Sequence, residues 1–521
     1  MAAATPAKNL SEWKAKLPLL AVCRTWTELA LSFVFYQVFV ELPELPDSTS
    51  SAHFLWTSNA EMFITRGCVL KAQCLNIELA YDVTSDHLNH IALDILKLDR
   101  VDWQNINSLT FTLDTWILSR PFELVSQDEL PATDVARTVQ YFAQNLRNIV
   151  ELELCSLASE SAGEYLYSDL ATFYSGRLQA LRAEGSIPLP FSCIPRNIKV
   201  LELTLDSSAV CVLPSICGET LKVLKLDEVP RNFAWHHFRY DMFDHPIVFR
   251  QLTVLHLSFE HKDIDLTEDE IQDKIASGAH NCDQLCFPAL RELVIYNCTP
   301  DCDLLYADLP FPELKYVHLT GSINSIRHYS RLSFTRVRNL SVLIFSADSD
   351  DKAEIYRVTN HLFTNIRIGR AASLCVTDDW FTLDLDVMRW ANLTKLEIPS
   401  VDYATVCKAI GQLPNLRELT IRSLATSSSI EDLSLFINAD PMLAWGEKLA
   451  KLTIRDFSED CSLTVCVGEI QALILHADAL EKLEVPYSAM QDVTTFIDMY
   501  KDRYPHLANI QLLNDAEIFF E

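Results

Sequence analysis

The feature that most restricts how this chain can fold is a short apolar pattern, L-x-x-L-x-L, that keeps returning. It stands at Ile149/Leu152/Leu154 and recurs at Ile198/Leu201/Leu203, Leu221/Leu224/Leu226, Leu252/Leu255/Leu257, Leu290/Leu293/Ile295 and Leu314/Val317/Leu319. Further copies follow at Leu340/Leu343/Phe345, Leu393/Leu396/Ile398, Leu416/Leu419/Ile421, Leu449/Leu452/Ile454, Leu480/Leu483/Val485 and Leu507/Ile510/Leu512. Weaker ones sit at Ala72/Leu75/Ile77, Ile106/Leu109/Phe111, Leu178/Leu181/Ala183 and Ala371/Leu374/Val376. From Leu75 to Ile510 there are 15 intervals, so the spacing averages 29 residues. The second and third apolar residues lie two apart, the period of a strand with one buried face, while the first turns the chain into that strand. A unit of this kind leaves its flank exposed until a neighbour stacks on it.

This period predicts an α/β leucine-rich-repeat solenoid, an irregular horseshoe of about 15–16 repeats, rather than the roughly three or four compact domains that length alone suggests. The solenoid is expected over residues 46–521, preceded by a short helical segment over residues 1–45. Proline marks the approach to several strands, in Phe287-Pro288-Ala289-Leu290, Phe311-Pro312-Glu313-Leu314, Leu413-Pro414-Asn415-Leu416 and Tyr504-Pro505-His506-Leu507. It fixes φ and cannot extend a preceding helix, so it delivers the chain to the next strand. Helical returns are predicted at Thr133–Leu146 and Val401–Leu413. Their lengths vary, because neighbouring strand centres lie as close as 20 residues (Leu181 to Leu201) and as far apart as 43 (Leu109 to Leu152).

Composition narrows the function. The chain carries 43 basic against 71 acidic side chains, a net charge of −28, which repels phosphate backbones and anionic lipid surfaces. No nucleic acid and no membrane are expected as general partners. The apolar stretch Leu17 to Val40 holds Arg24 and Glu28 in its middle, which argues against a transmembrane helix. MAAATPAK is not a secretory signal, so a cytoplasmic or nuclear protein is expected. The 15 cysteines read as reduced, small hydrophobes. Cys282, Cys286, Cys298 and Cys302 form C-x3-C-x11-C-x3-C, off the usual zinc-knuckle spacing, so no metal and no cofactor are expected. The sequence holds no phosphate-binding loop, no G-x-S-x-G and no H-E-x-x-H, and only 11 glycines. The expectation is a binding protein with no catalytic residues, not an enzyme.

At the amino terminus, Leu19, Val22, Trp26, Leu29 and Ala30 mark one helical face, and the alternation over Phe35 to Val40 predicts a strand. From the residues alone this is an end cap for the repeats. Val22-Cys23-Arg24-Thr25-Trp26 with Leu29-Ala30 resembles the second half of an F-box. An F-box followed by irregular leucine-rich repeats is the layout of F-box/leucine-rich-repeat proteins, including divergent fungal members. The resemblance implies that Leu19, Val22, Cys23, Trp26 and Leu29 hold the linker subunit of a cullin-type (SCF-like) ubiquitin ligase, while the repeats hold the protein to be ubiquitinated. The family's opening Leu-Pro signature and first helix have no match here, with 16 residues before Leu17. Two functions therefore stand side by side: a substrate-recognition subunit, and an interaction scaffold with no ligase role whose first helix is an inert cap.

In a horseshoe of this type, the strand residues between buried leucines point to the concave side. Early strands offer Glu151, Glu153 and Glu202 there. Middle strands offer His256, Val294, Tyr296, Tyr316, His318, Val342 and Ile344, and later ones Lys395, Arg422, Lys451, Arg455 and Lys482. Aromatic and aliphatic side chains flanked by charge match the anatomy of a protein-binding surface. The expected partner-binding residues are Tyr296, Tyr316, His318, Val342, Ile344, Arg422 and Arg455.

Overall fold

Many of the strands open on the same four-residue turn. The N–H of Leu290 donates to the carbonyl of Phe287 at 3.3 Å, Leu314 to Phe311 at 3.3 Å, and Leu416 to Leu413 at 3.0 Å. Pro288, Pro312 and Pro414 occupy the second position of these turns, where a fixed φ is wanted and no N–H is needed. The sequence-predicted punctuation is thus a turn with a hydrogen bond of its own. Directly after it, two successive N–H groups share one carbonyl of the preceding repeat: Lys315 and Tyr316 both donate to Arg291, at 2.8 and 3.0 Å. Arg338 and Asn339 treat Lys315 in the same way, at 2.8 and 3.0 Å. The register of each strand is therefore set one residue before the strand begins.

The computed structural model describes residues 9–17, 34–41, 57–82, 87–89, 91–97, 100–116, 132–156, 164–184, 194–205, 217–229, 248–259, 287–297, 311–322, 326, 337–344, 371–376, 393–425, 448–457 and 463–513. The chain divides into two compact units, Met1–Val254 and Leu255–Glu521. Each is a mixed α/β stack in which the strands of successive repeats run parallel, the arrangement of a solenoid-like fold.

In unit 1, β1 (Gln37–Glu41), β2 (Thr57–Ser58), β3 (Cys74–Asp82), β4 (His87–Asn89) and β5 (Ser108–Trp116) are followed by β6 (Glu151–Ser156), β7 (Ala180–Glu184), β8 (Val200–Thr204) and β9 (Val223–Val229). The parallel chain of pairings runs β1, β3, β5, β6, β7, β8, β9, with β2 and β4 attached antiparallel to β1 and β3. Along it, Val38, Leu75, Leu109, Leu152, Leu181, Leu201 and Leu224 fall in one buried row. The strand anticipated near Phe35 to Val40 is β1. Short α1 (Leu10–Lys16) buries Leu10 and Trp13 and is tied to β1 by Leu10 N–H, which donates to Glu41 Oε1 at 3.2 Å. The buried side chain of Asn59 completes the outer side of β1: it accepts from Phe39 N–H at 2.8 Å and donates to Gln37 O at 3.1 Å.

Helical returns close the core behind the strands. Helix α2 (Ala132–Asn145), predicted as Thr133–Leu146, buries Val135, Thr138 and Phe142, one face at helical spacing. The Phe142 ring meets Phe111 of β5 edge-on at 5.8 Å. Tyr167, on α3 (Glu164–Tyr174), packs on the same ring at 5.9 Å and donates its hydroxyl to Cys155 O at 2.9 Å. That bond satisfies a buried phenol while leaving its ring in the core.

Unit 2 begins within β10 (Val254–Phe259) and continues with β11 (Glu292–Tyr296), β12 (Tyr316–Gly321), β13 (Asn339–Ile344), β14 (Ala371–Val376) and β15 (Lys395–Asp402). The later strands are β16 (Glu418–Ala425), β17 (Lys451–Phe457), β18 (Lys482–Glu484) and β19 (Gln511–Leu513). From β11 to β19 each is parallel to the one before. Among the described residues, helical returns are α4 (Tyr403–Gln412), predicted as Val401–Leu413, α5 (Leu463–His476) and α6 (Tyr487–Tyr500).

Register corrects the reading of β13. Val317 and Leu319 pair with Leu340 and Val342, so the repeat there is Val337/Leu340/Val342, all buried, and not Leu340/Leu343/Phe345. Val342 and Ile344, expected on the exposed face, are 1% and 0% exposed. Ser341 and Leu343, half-buried, take the outward positions. In β14, likewise, Ala372 and Leu374 stand beside Leu340 and Val342.

Because Leu152 is wholly buried in the shared row, Leu152→Ala should cost roughly 2–5 kcal/mol of unfolding free energy. Urea titration followed by circular dichroism checks this, and the outward-facing neighbour change Glu151→Ala should shift the midpoint little.

Candidate protein interface

The outward face of unit 2 carries a connected group of polar aromatic side chains. Tyr316 and His318 alternate along β12 on the side opposite Val317 and Leu319, which are buried. Tyr296 ends β11 on the same side and is 42% exposed, one of the few large apolar side chains so open. Its ring meets the imidazole of His318 edge-on, centroids 5.2 Å apart. The other side of that imidazole is held by buried Thr320, whose Oγ1 lies 2.9 Å from His318 Nε2. Across on β10, His256 Nε2 lies 2.9 Å from Glu292 Oε1. Asn297, in the left-handed region at φ 50°, ends β11 and donates its side-chain N–H to Phe259 O at 3.1 Å.

Burial, and then the charge of His256, lower the pKa of His318, so the ring is kept neutral as a stacking surface. Burial, followed by the nearby Glu292 and Tyr296, raises the pKa of Tyr316, so its phenol keeps its proton. The group thus presents aromatic rings and hydroxyls with one carboxylate already engaged. Surfaces of this kind bind protein side chains by stacking and hydrogen bonding.

Farther along, β15 to β18 carry the predicted cations in a different state. Arg422 Nε lies 2.9 Å from Glu397 Oε1, Lys395 Nζ 3.4 Å from Glu418 Oε2, and Lys451 Nζ 3.6 Å from Glu484 Oε2. Glu484 is buried and also accepts from Thr453 Oγ1 at 3.0 Å. Exposed Arg455 is joined to none of them. Most of this charge is internally matched, and the exposed pair Lys395–Glu418 adds about 0–1 kcal/mol to stability.

The outward face of unit 1 is acidic, as expected from Glu151, Glu153 and Glu202. Its two cations, Arg182 and Lys225, both approach Glu202, at 3.6 and 3.1 Å. Glu153 accepts from Thr110 Oγ1 at 2.7 Å. Beside it, burial and the charges of Glu153 and Glu184 push the Cys155 thiol up to about 12, which makes it a poor nucleophile.

Of the residues predicted to bind a partner, Tyr296, Tyr316 and His318 are brought together, and Arg422 and Arg455 lie outward on other strands of unit 2. Val342 and Ile344 belong to the core, and Val294, in register with His318, is only 3% exposed. Leu19, Val22, Cys23, Trp26 and Leu29 lie outside the described residues, as do Cys282, Cys286, Cys298 and Cys302. Sequence reasoning missed Glu292 and Thr320, whose roles come from neighbouring strands. Among the described residues, no group of three or more His, Cys, Asp or Glu side chains could hold a metal ion, and no helix is long and apolar enough to cross a membrane.

No family model matches the chain. No curated protein matches it. Among solved structures, a chain from the crystal structure of the yeast Rad7 and Elc1 complex is similar, with 14% sequence identity over 70% of this chain and 81% of that chain, at a TM-score of 0.30.

Two outcomes test this geometry. His318 should titrate below the ordinary histidine value in an NMR experiment, and His256→Ala should move it upward by removing a neighbouring positive charge. Since the unfolded ring takes up a proton near pH 6.5 that the folded ring refuses, His318 should make stability fall as pH drops through that value. Cys155, by contrast, should be alkylated at pH 8 on the order of a thousandfold more slowly than a free peptide thiol, as read by peptide mass mapping.

Proposed function

We propose that the chain is a non-catalytic protein-binding adaptor whose outward strand face in unit 2 grips a partner protein. The observation that carries this reading is the Tyr296–His318 pair, an exposed aromatic surface braced from beneath by Thr320. A braced ring loses little freedom when a partner packs on it, so more of the contact is retained as affinity. Parallel strands also hold such side chains on a stiff support whose own apolar row is fully used in the core. The outward side chains are therefore spare for recognition.

Within that reading, the adaptor serves as the substrate-recognition subunit of a cullin-type ubiquitin ligase. The support for this finer role is the resemblance of Val22-Cys23-Arg24-Thr25-Trp26 to the second half of an F-box, ahead of a repeat array. The second reading, a scaffold with no ligase link, takes the same segment as an end cap for the repeats, since Leu19, Val22, Trp26, Leu29 and Ala30 mark a single apolar helical face.

The two readings differ in a direct measurement. Co-expression of the full chain with the ligase linker subunit should give a complex that survives size-exclusion chromatography, and Trp26→Ala should dissolve it. A linker that elutes separately from the wild-type chain assigns the scaffold role instead. Independently, the double variant Tyr296→Ala/Tyr316→Ala should weaken binding of partners identified by proximity cross-linking at least tenfold, with an unchanged melting temperature.

A further inference from the structure

One residue ahead of its strand, unit 2 places a basic side chain on three successive repeats: Arg291, Lys315 and Arg338. Backbone bonds hold the three in step, since Lys315 N–H donates to Arg291 O and Arg338 N–H to Lys315 O, both at 2.8 Å. Neighbouring strands stand about 4.8 Å apart, so three like charges are stacked at about that backbone spacing. All three are exposed. Among the described residues, no ion pair joins any of them to a carboxylate.

This arrangement has no stabilising role, because like charges in adjacent rows repel. Nor does composition account for it, since the chain has 71 acidic side chains against 43 basic ones. The same position is basic also at Lys199, Lys222 and Arg417, but there in runs of no more than two among the described residues; elsewhere it holds Gln73, Asn107, Val150 and Gln179 in unit 1, and Thr394, Ala450 and Glu481 later in unit 2. Where cations do gather, on β15 to β18, Glu397, Glu418 and Glu484 close on them. Among the described residues, the acids next to the basic row in sequence are otherwise engaged: Glu292 with His256, and Glu313, on the turn before Lys315, with contacts of its own.

We propose that Arg291, Lys315 and Arg338 form a docking rail for an acidic peptide segment that crosses the starting edge of β11 to β13. The rail covers two strand spacings, about 10 Å, enough for two or three carboxylates. A long polyanion such as nucleic acid would extend past it over a chain of net charge −28 and be repelled. The rail adjoins the aromatic group, since Lys315 directly precedes Tyr316. A partner with acidic residues beside an apolar anchor would meet both at once. The inference thus rests on the protein-binding reading and adds the charge of the segment bound.

The test uses the full chain at low salt and three fluorescent probes: a (Glu-Gly)6 peptide, a (Gln-Gly)6 peptide and a twelve-nucleotide single-stranded DNA. The glutamate peptide should bind and the glutamine peptide should not. Arg291→Gln/Lys315→Gln/Arg338→Gln should weaken the glutamate peptide at least tenfold and flatten its salt dependence, with an unchanged melting temperature. Arg417→Gln/Lys448→Gln, cations of other repeats, should leave it unchanged. Equal binding by the triple variant, no binding by the wild type, or tighter rail-dependent binding of the DNA would each overturn the proposal. If Tyr296→Ala/Tyr316→Ala abolishes partner capture while the triple variant keeps the glutamate peptide, the rail fails and the aromatic face stands. The reverse pattern rejects the face as anchor and keeps the rail.

Discussion

No repeat of this chain can bury its own apolar row. A strand such as β6 presents Leu152 and Leu154 on one side, and the equivalent residues of β5 and β7, at the same height, join the helical returns in excluding water from them. The turn bonds, the shared carbonyls before each strand and the helical returns all serve that stacking. They hold successive strands in step, so that leucine falls on leucine and the row continues through the unit.

A consequence is that the two sides of each strand answer to different demands. The inner side is apolar with few exceptions along both units, while the outer side varies freely in charge and size. Unit 1 turns this freedom into an acidic face, with Arg182 and Lys225 closing on Glu202. Unit 2 uses it for an aromatic group on β11 and β12 and matched ion pairs on β15 to β18. Exposed ion pairs contribute little to stability, so these differences change what the surface attracts more than how firmly the chain folds. The aromatic group differs from its surroundings in having support: Thr320 beneath His318, and His318 against Tyr296. Both histidines lie close enough for one to affect the other's proton, which ties the surface to pH.

The repeat period, the proline turns and two of the helical returns were legible because each depends on residues near one another in sequence. Pro312 and Leu314 lie within a single turn, and Val135 and Phe142 within a single helix face. The misread strand shows where that legibility stops. Around β13, Val337/Leu340/Val342 and Leu340/Leu343/Phe345 are two overlapping copies of one pattern, and nothing local separates them. The pairing of Val317 with Leu340 decides it, and with it the burial of Val342 and Ile344. Val294 is a second instance: alternation assigns it to the outer side, in register with His318, yet it is buried.

Local spacing alone therefore established that this is a stack of strand-and-return units, which side of most strands is apolar, and where the chain turns, since those follow from period-two alternation and the fixed φ of proline. Contacts between repeats chose which of two overlapping patterns is buried, gathered His256, Glu292, Tyr296, His318 and Thr320 into one surface, and aligned Arg291, Lys315 and Arg338 in a row. These residues are tens of positions apart, and their proximity depends on backbone hydrogen bonds between strands, a quantity that no single repeat contains.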